Sequence, residues 1–129
     1  MILRRIQRKW CHSRQANHSA INGQRFVAVK DARSWNELWT EHTKNIQPAP
    51  TAPAIDFNKT MVLGVFLGDR PNTCYKVTIE TIEKEVDKRL LVKYREAKTG
   101  SVCGQAITQP SHLISLQATE LAVEFLALQ

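Results

Sequence analysis

Seven consecutive residues, Met61 to Leu67, are apolar apart from Gly64. Because a strand turns alternate side chains to opposite faces, an apolar run without alternation needs cover on both of its faces. The run is also far shorter than the roughly 20 apolar residues that a membrane-crossing helix requires. It therefore predicts a central, buried β-strand in a globular domain, and no membrane span.

Strand patterns dominate the chain on either side of this run. They share β-branched and aromatic residues bounded by turn residues, and they lie at residues 25–30, 75–82, 90–95, 112–117 and 122–127. Together with one early helix, these patterns predict a mainly β (α+β) fold. We expect an antiparallel β-sandwich or open barrel of about seven strands, with one short helix inserted near the N-terminus.

The early helix is predicted by a capping box, in which Ser34 is followed three residues later by Glu37. A helical face follows at spacing i, i+3, i+4 and i+7, formed by Trp35, Leu38, Trp39 and His42. The pattern predicts a helix over 34–44, ending before three prolines between residues 47 and 53. We interpret the two tryptophans as core-facing, with a ligand platform as the alternative.

The charge lies at one end of the chain. Of 18 basic residues, seven precede the first acid, Asp31, in a chain of 129 residues with a formal net charge of +6. We divide the sequence into a basic segment, residues 1–24, that is an edge strand or a tail, and a single β domain, residues 25–129. The basic segment gives one alternative function, binding of nucleic acid or an anionic surface, although it lacks any nucleic-acid-binding motif and specific nucleic-acid binding is not expected.

Cysteines and histidines show no metal-ligand spacing, so we expect neither a metal nor a cofactor. The one catalytic arrangement worth weighing is a cysteine hydrolase with Cys74 as nucleophile, His112 as base and Asp56 or Asp69 as the orienting carboxylate. We expect no enzyme activity. For Asp56, which precedes Phe57 and a predicted strand, we favour a structural role, with its carboxylate binding backbone N–H groups of the turn.

Several short motifs occur in an order that resembles the C-terminal domain of the PrcB family of protease-complex subunits. They are Trp35-x-x-Leu38-Trp39, Ile55-Asp56-Phe57, Gly68-x-Arg70-Pro71-x-Thr73-x-Tyr75 and Thr108-x-Pro110. The resemblance implies a non-catalytic, protein-binding domain that supports or modulates a protease complex, exported or in the cell envelope. The chain as given shows no apolar signal segment, which by itself predicts a cytoplasmic protein.

The loop after the central strand is the predicted contact surface for a protein partner, and the resemblance implies a protease or its complex as that partner. Its residues are Asp69, Arg70, Pro71, Asn72, Thr73 and Tyr75. Proline pre-shapes such a loop, and the Arg70 guanidinium can bind a partner carboxylate, or else Asp69 or Asp56 of this chain. The loop also resembles that of chagasin-like cysteine-protease inhibitors over about eight residues, which gives inhibition through residues 68–75 as a further alternative.

We also expect Cys74 and Cys103 to lie close together. The strand after Cys74 turns at residues 83–88 and returns, so an up-and-down hairpin brings the chain back to the same end before Cys103. A disulfide then depends on the compartment, since it forms readily in exported proteins. The sequence does not indicate an oligomeric state.

Overall fold

Two four-stranded sheets face each other across a core, and one helix packs on the far side of the second sheet, in a computed structural model that describes residues 3–7, 13–85 and 87–129. The elements are β1 (Leu3–Gln7), β2 (Ser13–Ala16), β3 (Arg25–Val29), α1 (Ala32–His42), β4 (Thr60–Phe66), β5 (Tyr75–Glu85), β6 (Arg89–Lys98), β7 (Ser111–Gln117) and β8 (Ala122–Ala127). Sheet A has the order β1-β5-β6-β8, and sheet B the order β2-β7-β4-β3. The prediction of a mainly β sandwich with one short helix is confirmed.

The central strand β4 is buried on both faces, as its composition predicts. Met61, Leu63 and Val65 point into the core between the two sheets. Val62 and Phe66 lie on the opposite face, in a second cluster with the helix. The continuous apolar run therefore reflects three stacked layers, with β4 in the middle one.

One strand pair differs from the antiparallel prediction. β8 runs parallel to β6, with Arg89 opposite Ala122 and Tyr94 opposite Ala127. The chain leaves β7 in sheet B and crosses to sheet A before β8, so β8 arrives beside β6 in the same direction. Neither sheet closes into a barrel within the described residues. The described part of the chain also contains no helix of the length and hydropathy needed to cross a membrane.

Residues 1–24 contribute one strand to each sheet. β1 pairs with the end of β5, and β2 pairs with β7, so both lie at sheet edges. The side chains of Arg4, Arg5, Arg8 and Lys9, which carry much of the predicted anionic-surface site, lie outside the described residues. Two later basic residues have partners within the chain: the Arg14 guanidinium stacks on Trp39, and Arg25 binds Glu41.

The helix begins earlier than the capping box predicts. Asp31 is the N-cap: its Oδ1 accepts the Ser34 N–H at 2.8 Å and its Oδ2 accepts the Ser34 hydroxyl at 3.0 Å. Ser34 thus lies in the first turn, and Glu37 pairs with Arg33 instead of returning to the cap. The predicted capping box of Ser34 and Glu37 is wrong, because the two carboxylate oxygens of Asp31 bind both polar groups of Ser34.

This cap makes a testable distinction between Asp31 and Ser34. Asp31→Ala removes the acceptor of the free N–H group and is expected to lower the free energy of unfolding by about 1 kcal/mol. Ser34→Ala leaves the bond from the residue-34 N–H to Asp31 intact, so its cost is expected to be clearly smaller. Urea unfolding followed by circular dichroism compares the two. Equal losses, or a larger loss in Ser34→Ala, would contradict the assignment.

The predicted apolar face of the helix is buried, at Trp35, Leu38, Trp39 and His42. The proline-rich linker covers this face: the Trp35 indole N–H donates to the Pro53 carbonyl at 3.0 Å, and that of Trp39 donates to the Pro50 carbonyl at 2.8 Å. Both tryptophans therefore serve packing between helix, linker and sheet B. They form no open ligand platform.

Candidate functional site

Two loops meet at one end of the sandwich, and we call them the paired loops: residues 68–74, between β4 and β5, and residues 99–110, between β6 and β7. The β5–β6 hairpin brings them together, because its two free ends lie side by side. A disulfide joins Cys74 to Cys103, whose Cα atoms are 5.4 Å apart. That separation lies within the roughly 7 Å limit for a bridge.

Hydrogen bonds join the paired loops along their length. Arg70 and Thr108 exchange two backbone bonds of 2.8 and 3.0 Å. The Thr108 hydroxyl donates to the Asn72 carbonyl at 2.9 Å, and the Thr73 hydroxyl accepts the Gly104 N–H at 2.7 Å. With most of their inward polar groups bound, the loops form one pre-shaped unit.

Arg70 is held inside this unit. Its Nε and Nη2 donate to the two carboxylate oxygens of Glu96 at 2.6 and 3.0 Å, and its Nη1 donates to the carbonyls of Leu67 and Asp69. Such a bidentate pair fixes the guanidinium plane. The partner is Glu96, so the predicted alternatives Asp69 and Asp56 are wrong. Arg70 therefore shapes the loop from within, with few donors left for another protein.

The outward surface of the paired loops is apolar at its tips. Asp69, Pro71 and Thr73 are exposed, whereas Asn72 and Tyr75 are half-buried. In the second loop, Val102 is 91% exposed and Ile107 is 63% exposed. These two residues were not predicted as site residues, although branched apolar side chains in a loop with glycine and cysteine were the available signal.

Gly68 allows the first loop to begin where it does. Its φ is +81°, and an added Cβ would lie 3.0 Å from backbone atoms of Asn22, Gly23 and Gln24. Any side chain at this position would require a strained backbone conformation, and it would also crowd the backbone of residues 22–24. The glycine of the Gly68-x-Arg70-Pro71 motif thus sets the approach of the paired loops to the segment before β3.

Asp56 has the local geometry expected of a turn residue. Its Oδ1 accepts the Asn58 N–H at 3.0 Å, and its carbonyl accepts the Thr60 N–H at 2.9 Å. Phe57 packs against the helix cluster. These contacts fix the entry into β4, far along that strand from the paired loops.

The structure does not bring the weighed hydrolase residues into a catalytic arrangement. The Cys74 sulfur is bonded to Cys103. His112 lies between the sheets at 3% exposure, where its Nδ1 accepts the Ile79 N–H at 2.8 Å and its Nε2 lies 2.8 Å from the Ser13 hydroxyl. The carboxylate of Asp69 accepts from Gln109. Among the described residues, no three His, Cys, Asp or Glu side chains are grouped to hold a metal.

The buried His112 makes stability depend on pH. Burial lowers its pKa to about 4, whereas a histidine in an unfolded chain titrates near 6.5. Between these values the unfolded state binds more protons, so stability present above about pH 6.5 is lost as the pH falls. We expect this residue alone to contribute a slope of up to about 1.4 kcal/mol per pH unit.

Urea unfolding at several pH values between 7 and 5 measures this slope. His112→Gln is expected to flatten it, leaving the contribution of His42, whose pKa burial also lowers. The matched control is Asn17→Ala, which changes an exposed residue without an ionisable group and should leave the slope unchanged. Parallel curves for wild type and His112→Gln would show that His112 does not titrate as expected.

The part of the chain that matches a known family contains the paired loops and the strands that flank them. Residues 61–117 match the PrcB C-terminal family model. This match confirms the resemblance to the PrcB C-terminal domain over β4 to β7, including both paired loops. The motifs at residues 35–39 and 55–57 lie outside the matched segment. No curated protein and no solved structure gives a significant match to the chain.

Proposed function

We propose that this chain is a non-catalytic protein-binding domain that supports or modulates a protease complex through its paired loops. The observation that carries the proposal is a pair of loops joined by a disulfide and by hydrogen bonds, with exposed apolar tips at Val102 and Ile107. Exposed apolar groups on a pre-ordered surface favour association, because binding then costs little ordering entropy. The PrcB C-terminal match covers this surface and supports a protease-associated partner.

The contact residues differ from those that the loop sequence alone favours. Asp69, Pro71 and Thr73 are exposed, as are Val102 and Ile107 of the second loop, whereas Arg70 is bound to Glu96. We therefore assign the contact to the apolar tips and the exposed loop positions. Arg70 acts as a positioning residue whose side chain holds the first loop against β6.

Site-specific photo-crosslinking in the source organism tests this assignment. A photoreactive amino acid replaces Val102 or Ile107 in the full chain, and crosslinked partners are identified by mass spectrometry. The matched control places the same group at Ala118, which is exposed at the opposite end of the sandwich. We expect protease subunits to crosslink from positions 102 and 107 and not from 118.

Two other results would overturn the proposal. Crosslinks to a protease from position 118 as strongly as from 102 would place the contact elsewhere. Absence of any protease-complex component from all three positions would remove the assigned partner class. A peptide-cleavage assay with a papain-like protease tests the inhibitor alternative. If the loop at residues 68–75 inhibits such a protease, the rate of cleavage should fall in proportion to the amount of this chain added.

A further inference from the structure

The free side of β3 borders a groove. β3 is an edge strand of sheet B, and within the described residues β4 is the strand that pairs with it. The groove is shallow and open to solvent, with helix α1 as its opposite wall. Its lining is formed by residues 25–29 of the strand and by Ser34, Glu37, Leu38 and Glu41 of the helix.

The backbone groups that face this groove follow from the sheet register. Leu67 donates its N–H to Pro110, toward β7. Because successive residues of a strand direct their backbone groups to opposite sides, Phe66, Gly64 and Val62 face β3. Their partners are Arg25, Val27 and Val29. The N–H and C=O groups of Phe26 and Ala28 therefore point outward, as two donors and two acceptors at the free edge.

The side chains beside this edge present a different chemistry on each face of the sheet. Toward sheet A, Phe26 is 38% exposed, and its ring stacks 5.2 Å from that of Phe125. Toward the helix, the groove presents the carboxylates of Glu37 and Glu41. Arg25 binds Glu41 through two bonds of 2.7 and 2.9 Å and closes one end.

Glu37 remains accessible to a cation in the groove. The Glu37 carboxylate accepts a hydrogen bond of 3.3 Å from the Arg33 Nε. The Glu37 side chain is 70% exposed, and that of Arg33 is 90% exposed. Exposed pairs of this kind contribute little to stability, so a cation of a ligand can replace Arg33. The groove is lined by two carboxylates, those of Glu37 and Glu41, and by one guanidinium, that of Arg25. The groove therefore favours basic over acidic side chains.

We propose that this groove binds an extended segment of a protein partner as an added β-strand of alternating apolar and basic residues. The ligand backbone pairs with Phe26 and Ala28, its apolar side chains cover Phe26, and its basic side chains face Glu37 on the helix. Strand addition is a general mode of peptide recognition, in which main-chain bonds give affinity and alternate side chains give specificity. The proposal does not depend on the function assigned to the paired loops.

The probe is the synthetic peptide acetyl-Lys-Val-Lys-Tyr-Lys-amide, followed by amide hydrogen exchange of the full chain by NMR. We expect the peptide to slow exchange of the Phe26 and Ala28 amides by about tenfold or more at saturation. The amides of Val27 and Val29, already directed to β4, should change little. Protection confined to the paired loops, or no binding at millimolar peptide, would overturn the proposal.

Two N-methylated peptides test the backbone pairing without altering the protein. In an antiparallel added strand, the valine and tyrosine lie opposite Phe26 and Ala28 and direct their N–H groups to β3. Methylation of these two nitrogens should therefore weaken binding about tenfold or more. Methylation of the central lysine nitrogen, which faces away, should leave binding within about twofold. Equal affinity of the two peptides would exclude strand addition.

Protein variants test the basic preference and the competing occupant. Glu37→Lys should weaken peptide binding several-fold, whereas the control Glu120→Lys, at an exposed position in the turn before β8, should not. Equal effects of the two variants would contradict recognition by Glu37. Protection of Phe26 and Ala28 that rises with protein concentration in the absence of peptide would instead assign the edge to a second copy of this chain.

Discussion

Trp39→Ala is expected to lower the free energy of unfolding by about 3–5 kcal/mol. The indole is 6% exposed and packs 5.6 Å, between ring centroids, from both Trp35 and His42. Alanine would leave a cavity between the helix and sheet B and would also remove the N–H donor that binds the Pro50 carbonyl. Urea unfolding followed by circular dichroism measures the loss.

Trp39→Phe separates packing from the hydrogen bond. Phenylalanine retains most of the aromatic contact and loses the N–H donor, so the loss attributable to the bond should be about 1 kcal/mol. We therefore expect the phenylalanine variant to be far more stable than the alanine variant. Similar losses in both would show that packing by the ring contributes little.

The second large effect concerns the disulfide of the paired loops. The double variant Cys74→Ser, Cys103→Ser should lose about 3–4 kcal/mol of unfolding free energy, the value expected when a closed loop of about 30 residues is opened in the unfolded chain. The bridge spans 29 residues. Urea unfolding without reductant compares the double variant with wild type.

Reductant supplies the control for this variant. Wild type in dithiothreitol should match the double variant, whereas the double variant should not respond to dithiothreitol. The Gly104 and Thr108 amides, which bind across the paired loops, should exchange faster in both. A double variant as stable as the oxidised wild type would show that the bridge does not stabilise the fold.

Local patterns predicted the elements from residue 25 onward, because each depends on residues close in sequence, whereas the polar residues of β2 (Ser13–Ala16) gave no strand pattern. The apolar run of β4 and the helical spacing from Trp35 to His42 required nothing beyond side-chain periodicity. The cap was misassigned, since Asp31, Ser34 and Glu37 offer competing acceptors within one turn and side-chain geometry selects among them. The parallel pairing of β6 with β8 depends on which sheet the chain enters after β7, which periodicity does not encode.

The candidate site was predicted in position but not in contacts. The two free ends of the β5–β6 hairpin lie side by side, and Cys74 and Cys103 lie just beyond them. Hairpin geometry alone was therefore enough to predict that the two cysteines are close. The partner of Arg70 is Glu96, which lies 26 residues away in the chain. Its identity follows from the register of β5 against β6, where Val77 faces Glu96. No local signal in the sequence specifies that register.

The linker that covers the helix has a consequence for measuring local motion. Pro50 and Pro53 offer carbonyl oxygens to the two buried indoles and have no backbone N–H of their own to bury. The indole protons of Trp35 and Trp39 are thus held by this segment and resonate apart from most backbone amides. The exchange of these indole protons with solvent therefore measures how often the linker separates from the helix. Comparison with the exchange of the β4 amides distinguishes this partial opening from global unfolding.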